Sequence, residues 1–241
     1  MTSKNRLLSA ALAMALSVWP GKGFAAQVRG SVLLEGPAPA PTMMTIKPKK
    51  GDHSAQGCGS LQKASQKLLV DRTGGVQNVV VWLDVASNGP GTRSNRTILL
   101  DQKECVFSPH VVVVDSGTTI AIRNSDHVLH NVRIFQEGKP AMLMHQWQKA
   151  DASSIFWRFA EPGRYVVRCG VHPWMYAWVV VNSGAGAVTD GHGRFILSGV
   201  PPGKQTLHVW NEALGTREIP IVVATDEEIL KPILLTRAED S

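Results

Sequence analysis

Short runs rich in Val, Ile, Thr and aromatic residues recur along almost the whole chain, each bounded by Gly, Pro, Asn or Asp. Strands are expected at 28–34, 76–85, 97–100, 111–114, 118–123, 131–135, 154–159, 164–168, 177–181, 194–197, 205–210 and 219–223. Spacing this short leaves no room for crossover helices, so the reading is all-β, built from sandwiches or barrels. The 22 Gly and 14 Pro supply the turns. A hydrophobic share of 44% is enough for one or two buried cores and excludes disorder. The segment 139–150 holds Met142, Met144 and Trp147 without clean periodicity, and is read as a loop or a single helical turn. Pro37, Pro39 and Pro41 make a stiff lead into a polar loop at 47–66.

Residues 1–25 read as a signal peptide. Lys4 and Arg6 precede an apolar run from Leu7 to Val18, and Gly23-Phe24-Ala25 offers small residues at the cleavage positions. No later stretch reaches the roughly 18 apolar residues of a membrane span. The expectation is an exported protein, periplasmic or secreted, with no span after cleavage. The formal charge of +6 is partly the signal's. Without Lys4, Arg6 and Lys22 the 25 basic residues become 22 against 19 acidic, leaving +3. With no Lys/Arg stripe, nucleic acid is not an expected partner.

Export gives the three cysteines meaning. Cys58 lies in the polar loop and Cys105 just before a strand; they are expected to pair, which stabilises by about 4 kcal/mol in the chain-entropy model. Cys169 is then left over, and an unpaired thiol in an exported protein invites a metal.

Cys169 opens the loop Cys169-Gly170-Val171-His172-Pro173-Trp174-Met175 between two expected strands, a Cys-x2-His-x2-Met pattern. Upstream, His127 and His130 both precede a strand. Two imidazoles and a thiolate in a plane, with a weak axial thioether, make a blue-copper electron-transfer site, because this mixed set suits both Cu(I) and Cu(II). The thiolate binds deprotonated, and the metal lowers its pKa. His110 and His145 are expected at the surface or in loops; His145 beside Met142 and Met144 offers weak soft-metal ligands.

At these residues the chain resembles the cupredoxins, and among them the short-loop amicyanin type. The likeness includes His130-Asn131-Val132, the Pro162-Gly163-Arg164-Tyr165 turn, Gly117–Ile120 and the ligand loop. It implies a cupredoxin Greek-key β-sandwich over 96–182 and one copper ion held by His130, Cys169, His172 and Met175. It selects His130 over His127. It implies that Asn131 supports the ligand loop beside the sulfur. It also implies that electrons cross at an exposed edge of His172, with Pro173 and Trp174 as the patch for a partner; the residues alone leave Trp174 divided between patch and core, and place Trp178 in the core. The implied partner is a c-type cytochrome or dehydrogenase. Arg133, Arg164 and Arg168 either steer an acidic partner or form a solvated face.

Downstream, Thr189-Asp190-Gly191-His192-Gly193-Arg194-Phe195 and Pro201-Pro202-Gly203 precede an alternating strand. This resembles the carboxypeptidase-regulatory-like β-sandwich, a second, smaller unit at 183–241 whose relatives do adhesive, spacing or sugar-binding work. The segment 26–95 looks like that fold's missing opening strands, with the copper unit inserted. Three functions compete: a blue-copper electron carrier, a copper-binding or delivery protein without redox shuttling, and a metal-free structural or carbohydrate-binding protein. An enzyme is not expected, since four protein ligands leave no open position for substrate.

Overall fold

The computed structural model describes residues 26–46, 58, 61–86 and 97–237. The expected signal peptide lies outside the described residues, as does most of the polar loop. The elements named among the described residues are all strands: β1 (Ala26–Leu34), β2 (Met43–Ile46), β3 (Leu61–Ala64), β4 (Leu69–Val70), β5 (Val76–Gln77), β6 (Val80–Ala86), β7 (Ile98–Lys103), β8 (Val106–Ser108), β9 (Val111–Asp115), β10 (Thr118–Asn124), β11 (His130–Gln136), β12 (Met142–Gln148), β13 (Ile155–Phe159), β14 (Gly163–Cys169), β15 (Tyr176–Asn182), β16 (Gly184–Val188), β17 (Arg194–Val200), β18 (Gly203–Asn211), β19 (Gly215–Val223), β20 (Glu227–Ile229) and β21 (Ile233–Leu235).

One sandwich packs the sheet β13-β10-β7-β8 on the sheet β12-β11-β14-β15-β9. Inward residues of both sheets, among them Leu100, Phe107, Ile120, Ile122, Ile134 and Val167, form one core that also holds Cys169 and Met175. Alternation explains the burial: in β10, Thr118, Ile120 and Ile122 are inaccessible while Arg123 faces water. The second sandwich packs β17-β1-β20, with β21 also on β1, against β16-β6-β18-β19. Its core contains Val28, Val32, Val81, Leu83, Leu197, Leu207 and Val209. β1 lies against β17 on one side and β20 and β21 on the other, and β6 lies between β16 and β18. Two strands from before residue 87 are therefore internal to sheets whose other members follow residue 183. Gly30 lets the ring of Phe195, its partner on the paired strand β17, lie across it, since a Cβ would stand 2.6 Å from Phe195 Cζ.

Val80, Val111, Val180 and Trp210, with Trp82 and Trp178 packed on them, join the sandwiches. At this seam Glu212, from the β18–β19 turn, meets His110 Nε2 at 2.5 Å and accepts from Trp178 Nε1 at 2.9 Å. His110, expected at the surface or in a loop, lies in the connection between β8 and β9 but is buried there, because that carboxylate and the edge-on Tyr176 ring enclose it. Trp178 is half-buried against the edge of Trp210. The segment expected as a loop or helical turn is the edge strand β12. Its pattern was obscured because one side is open and a bulge between Ile134 and Phe135 breaks the alternation, leaving Met142, Leu143 and Trp147 exposed. His145 is exposed, as expected. β3 arises inside the expected polar loop by pairing with β2.

Candidate metal centre

β14 ends at Cys169, whose neighbour across the sheet is Val132 of β11. The ligand loop then folds back on itself. Cys169 N donates to Met175 O at 3.0 Å, and Met175 N donates to His172 O at 2.9 Å. Gly170 N donates to Asn131 O at 2.8 Å, tying the loop to β11. Glycine is needed there, because a Cβ would stand 2.3 Å from Asn131 Oδ1 and 2.4 Å from Arg133 Nε. His130 begins β11 after a turn held by Asn124, whose Nδ2 donates to Val128 O at 2.9 Å.

These constraints bring His130, Cys169 and His172 together, all buried. His130 Nδ1 lies 3.7 Å from Cys169 Sγ, His172 Nδ1 lies 3.6 Å from it, and the two nitrogens are 3.0 Å apart. A point about 2.0 Å from all three atoms exists in their plane, the circumradius of that triangle. Metal–imidazole bonds are about 2.0–2.1 Å and metal–thiolate bonds about 2.3 Å, so the donors fit a single ion. His130 and His172 have no accessible surface. Met175 is equally buried, in the same core, at the loop's end. His127 is exposed and apart from the triangle's burial.

Among solved structures the chain resembles cupredoxins. Amicyanin from Paracoccus versutus matches over 42% of this chain and 97% of its own, at 21% identity and a TM-score of 0.33. A purple cupredoxin from Nitrosopumilus maritimus matches over 35% of this chain and 99% of its own, at 24% identity and a TM-score of 0.32. A copper-containing nitrite reductase from Thermus scotoductus matches over 36% of this chain, at 21% identity and a TM-score of 0.33, and the chain spans only 22% of that protein. No protein-family model and no curated protein matches the sequence.

Burial pushes the Cys169 thiol up, yet hydrogen bonds from both imidazoles and from the Asn131 and His172 amides outweigh it, leaving the thiol lowered to about 5. The Asn131 amide stands 3.4 Å from Sγ. Its side chain turns elsewhere: Oδ1 accepts from Arg133 Nε at 2.7 Å. Burial lowers the His130 pKa, but the Asp126 carboxylate and the Cys169 sulfur raise it further, for a net rise. Asp126 meets His130 Nε2 at 3.0 Å and accepts from the amides of Glu104 and Cys105 at 2.6 and 2.9 Å. Each ring therefore turns Nδ1 to the sulfur while its Nε2 is engaged behind, the arrangement that fixes a ligand imidazole's orientation.

Two features of this layer escaped the sequence reading. Asp126 lies four residues before His130, and nothing in the sequence singled it out. The Cys58–Cys105 disulfide was expected and is present, but its position was not: Cys58 Sγ stands 3.6 Å from His172 Nε2. The resemblance implied an exposed edge of His172; instead that edge is closed by the disulfide. Trp174 is half-buried, tilted against the His172 ring, with its indole N–H donating to Cys105 O at 3.1 Å. Only Pro173 of the implied patch is exposed. Arg164 pairs with Glu137 and lies over Trp210 at the seam, while Arg168 remains exposed.

Proposed function

We propose that this protein binds one copper ion through His130, Cys169 and His172, with Met175 as a weak fourth ligand, and carries single electrons between redox partners outside the cytoplasm. The observation that carries the reading is the buried triangle of one thiolate and two imidazole nitrogens with room for one ion at its centre. Copper bound there would supply one-electron exchange between Cu(I) and Cu(II).

The chain's own residues serve that exchange by holding still. Strands β11 and β14 position His130 and Cys169, and the loop's two internal hydrogen bonds position His172. Asp126 orients His130, and the Asn131 amide steadies the sulfur. Burial keeps water away from the donors. Four protein ligands leave no place for a substrate, so the reading is a carrier, not an enzyme. No helix among the described residues is long and apolar enough to cross a membrane. The expected signal peptide supports export, and the partner proposed with it is a c-type cytochrome or dehydrogenase.

The covered edge of His172 favours a second reading, storage or delivery of copper without redox shuttling. Colour separates the two. Cu(II) added to the metal-free protein gives intense visible absorption from copper–thiolate charge transfer if the first reading holds, and Cys169→Ser abolishes it. A colourless copper complex supports storage; absence of copper binding overturns both.

A further inference from the structure

The outward side of the metal centre is closed by residues remote in sequence. Cys58 and Cys105, separated by 47 positions and both buried, form the bridge. Cys58 Sγ lies 3.6 Å from His172 Nε2. Trp174 anchors the other half through its hydrogen bond to Cys105 O. The Cys105 and Glu104 amides are held by Asp126, the carboxylate that also meets His130 Nε2. One covalent bridge thus secures the layer over both rings. A disulfide placed for stability alone needs only to close its loop; this one is seated on a donor ring. The His172 ring also separates two reactive sulfurs, with Nδ1 towards Cys169 and Nε2 towards Cys58.

We infer that the Cys58–Cys105 disulfide is a redox-controlled seal on the metal centre: closed, it slows the entry of solvent, thiol reagents and metal ions to Cys169 and His172 without preventing it, and reduced, it speeds that entry. Its purpose as a gate for metal rests on the copper reading; its geometry does not. A dithiol reductant opens it. Two electrons and two protons pass from the dithiol to the bridge, the S–S bond breaks into two thiols, and the dithiol closes to its own disulfide.

The test uses the metal-free full chain and iodoacetamide, with alkylation of Cys169 followed by mass of its peptide. The bridged protein is compared with Cys58→Ser/Cys105→Ser and with wild type reduced by a dithiol and desalted. At least tenfold faster alkylation is expected in both unbridged forms. Leu197→Ala, in the core of the other sandwich, is expected to react at the wild-type rate although it lowers stability. Equal rates with and without the bridge overturn the inference, and so does a Leu197→Ala rate matching the unbridged one, since exposure would then come from global opening. If the double variant does not fold, the reduced wild type and Trp174→Phe, which loses the anchoring N–H, decide; Trp174→Phe is expected to react severalfold faster, and an unchanged rate in both overturns the seal. Failure of the copper reading shows separately, as absence of copper binding, because no metal enters this assay.

Discussion

Cys169 receives hydrogen bonds from two rings and two backbone amides, yet the residue after His172 offers none. Pro173 has no N–H and stands exposed beside the ligand loop. Fewer donors to sulfur leave the thiolate more electron-rich and the copper potential lower. Pro173→Ala is therefore expected to raise the reduction potential, measured by redox titration of the copper-loaded protein; an unchanged or lower value counts against this. At the seam, Glu212 is a buried carboxylate of a different kind. Burial pushes its pKa up, but hydrogen bonds to His110, Trp178 and Tyr176 and the charge on His110 hold it below the ordinary value. A group with a depressed folded pKa contributes stability that is present above its unfolded pKa, about 4.3, and lost as pH falls through the folded value. Glu212→Gln is expected to cost about 1–3 kcal/mol at neutral pH. It should also flatten the acid limb of a denaturant-midpoint profile below that range. A variant with the wild-type acid limb would show that the carboxylate does not carry it.

At the scale of elements, the site depends on two strands and one loop lying closer than side chains normally allow. Gly170 lies against Asn131 and Arg133. Gly170→Ala pushes the Asn131 side chain aside and shifts the amide that steadies the sulfur, with an expected loss of about 10–100-fold in copper affinity by competition with a chelator. Gly30→Ala meets Phe195 in the other sandwich at comparable closeness and is expected to lower stability while leaving copper affinity unchanged. Equal effects of the two substitutions on affinity would show that the loss at Gly170 is only general destabilisation. The loop itself was legible in the sequence because Cys-x2-His-x2-Met is local: seven residues bracketed by two Val-rich runs. β12 was not legible, because an edge strand open to water on one side and interrupted by a bulge need not alternate.

Across the described residues, one sandwich lies in the chain between two paired strands of another, β6 and β16. A fragment of 183–241 lacks β1 and β6, and with them Val28, Val32, Val81 and Leu83, each worth roughly 1.5–3 kcal/mol when buried. It is expected to show no cooperative unfolding. Ala86 and Gly184 are direct neighbours across β6 and β16, so a short turn can replace everything between them. A chain of 26–86 joined by such a turn to 184–237 is expected to fold, shown by a cooperative thermal transition. A stable isolated 183–241 fragment would show that the opening strands are dispensable.

What the sequence determined by itself was what local composition and residue counts carry: the all-β class from short Val-, Ile- and Thr-rich runs bounded by turn residues, the ligand loop from its spacing, and the pairing of Cys58 with Cys105 by leaving Cys169 to another role. Only the tertiary structure decided which groups stand behind the ligands. Asp126 behind His130, the disulfide against His172, and Glu212 on His110 join positions up to 114 residues apart. Such contacts are set by strand order and sandwich packing, and a side chain's own sequence neighbours carry no trace of the surface that will close over it.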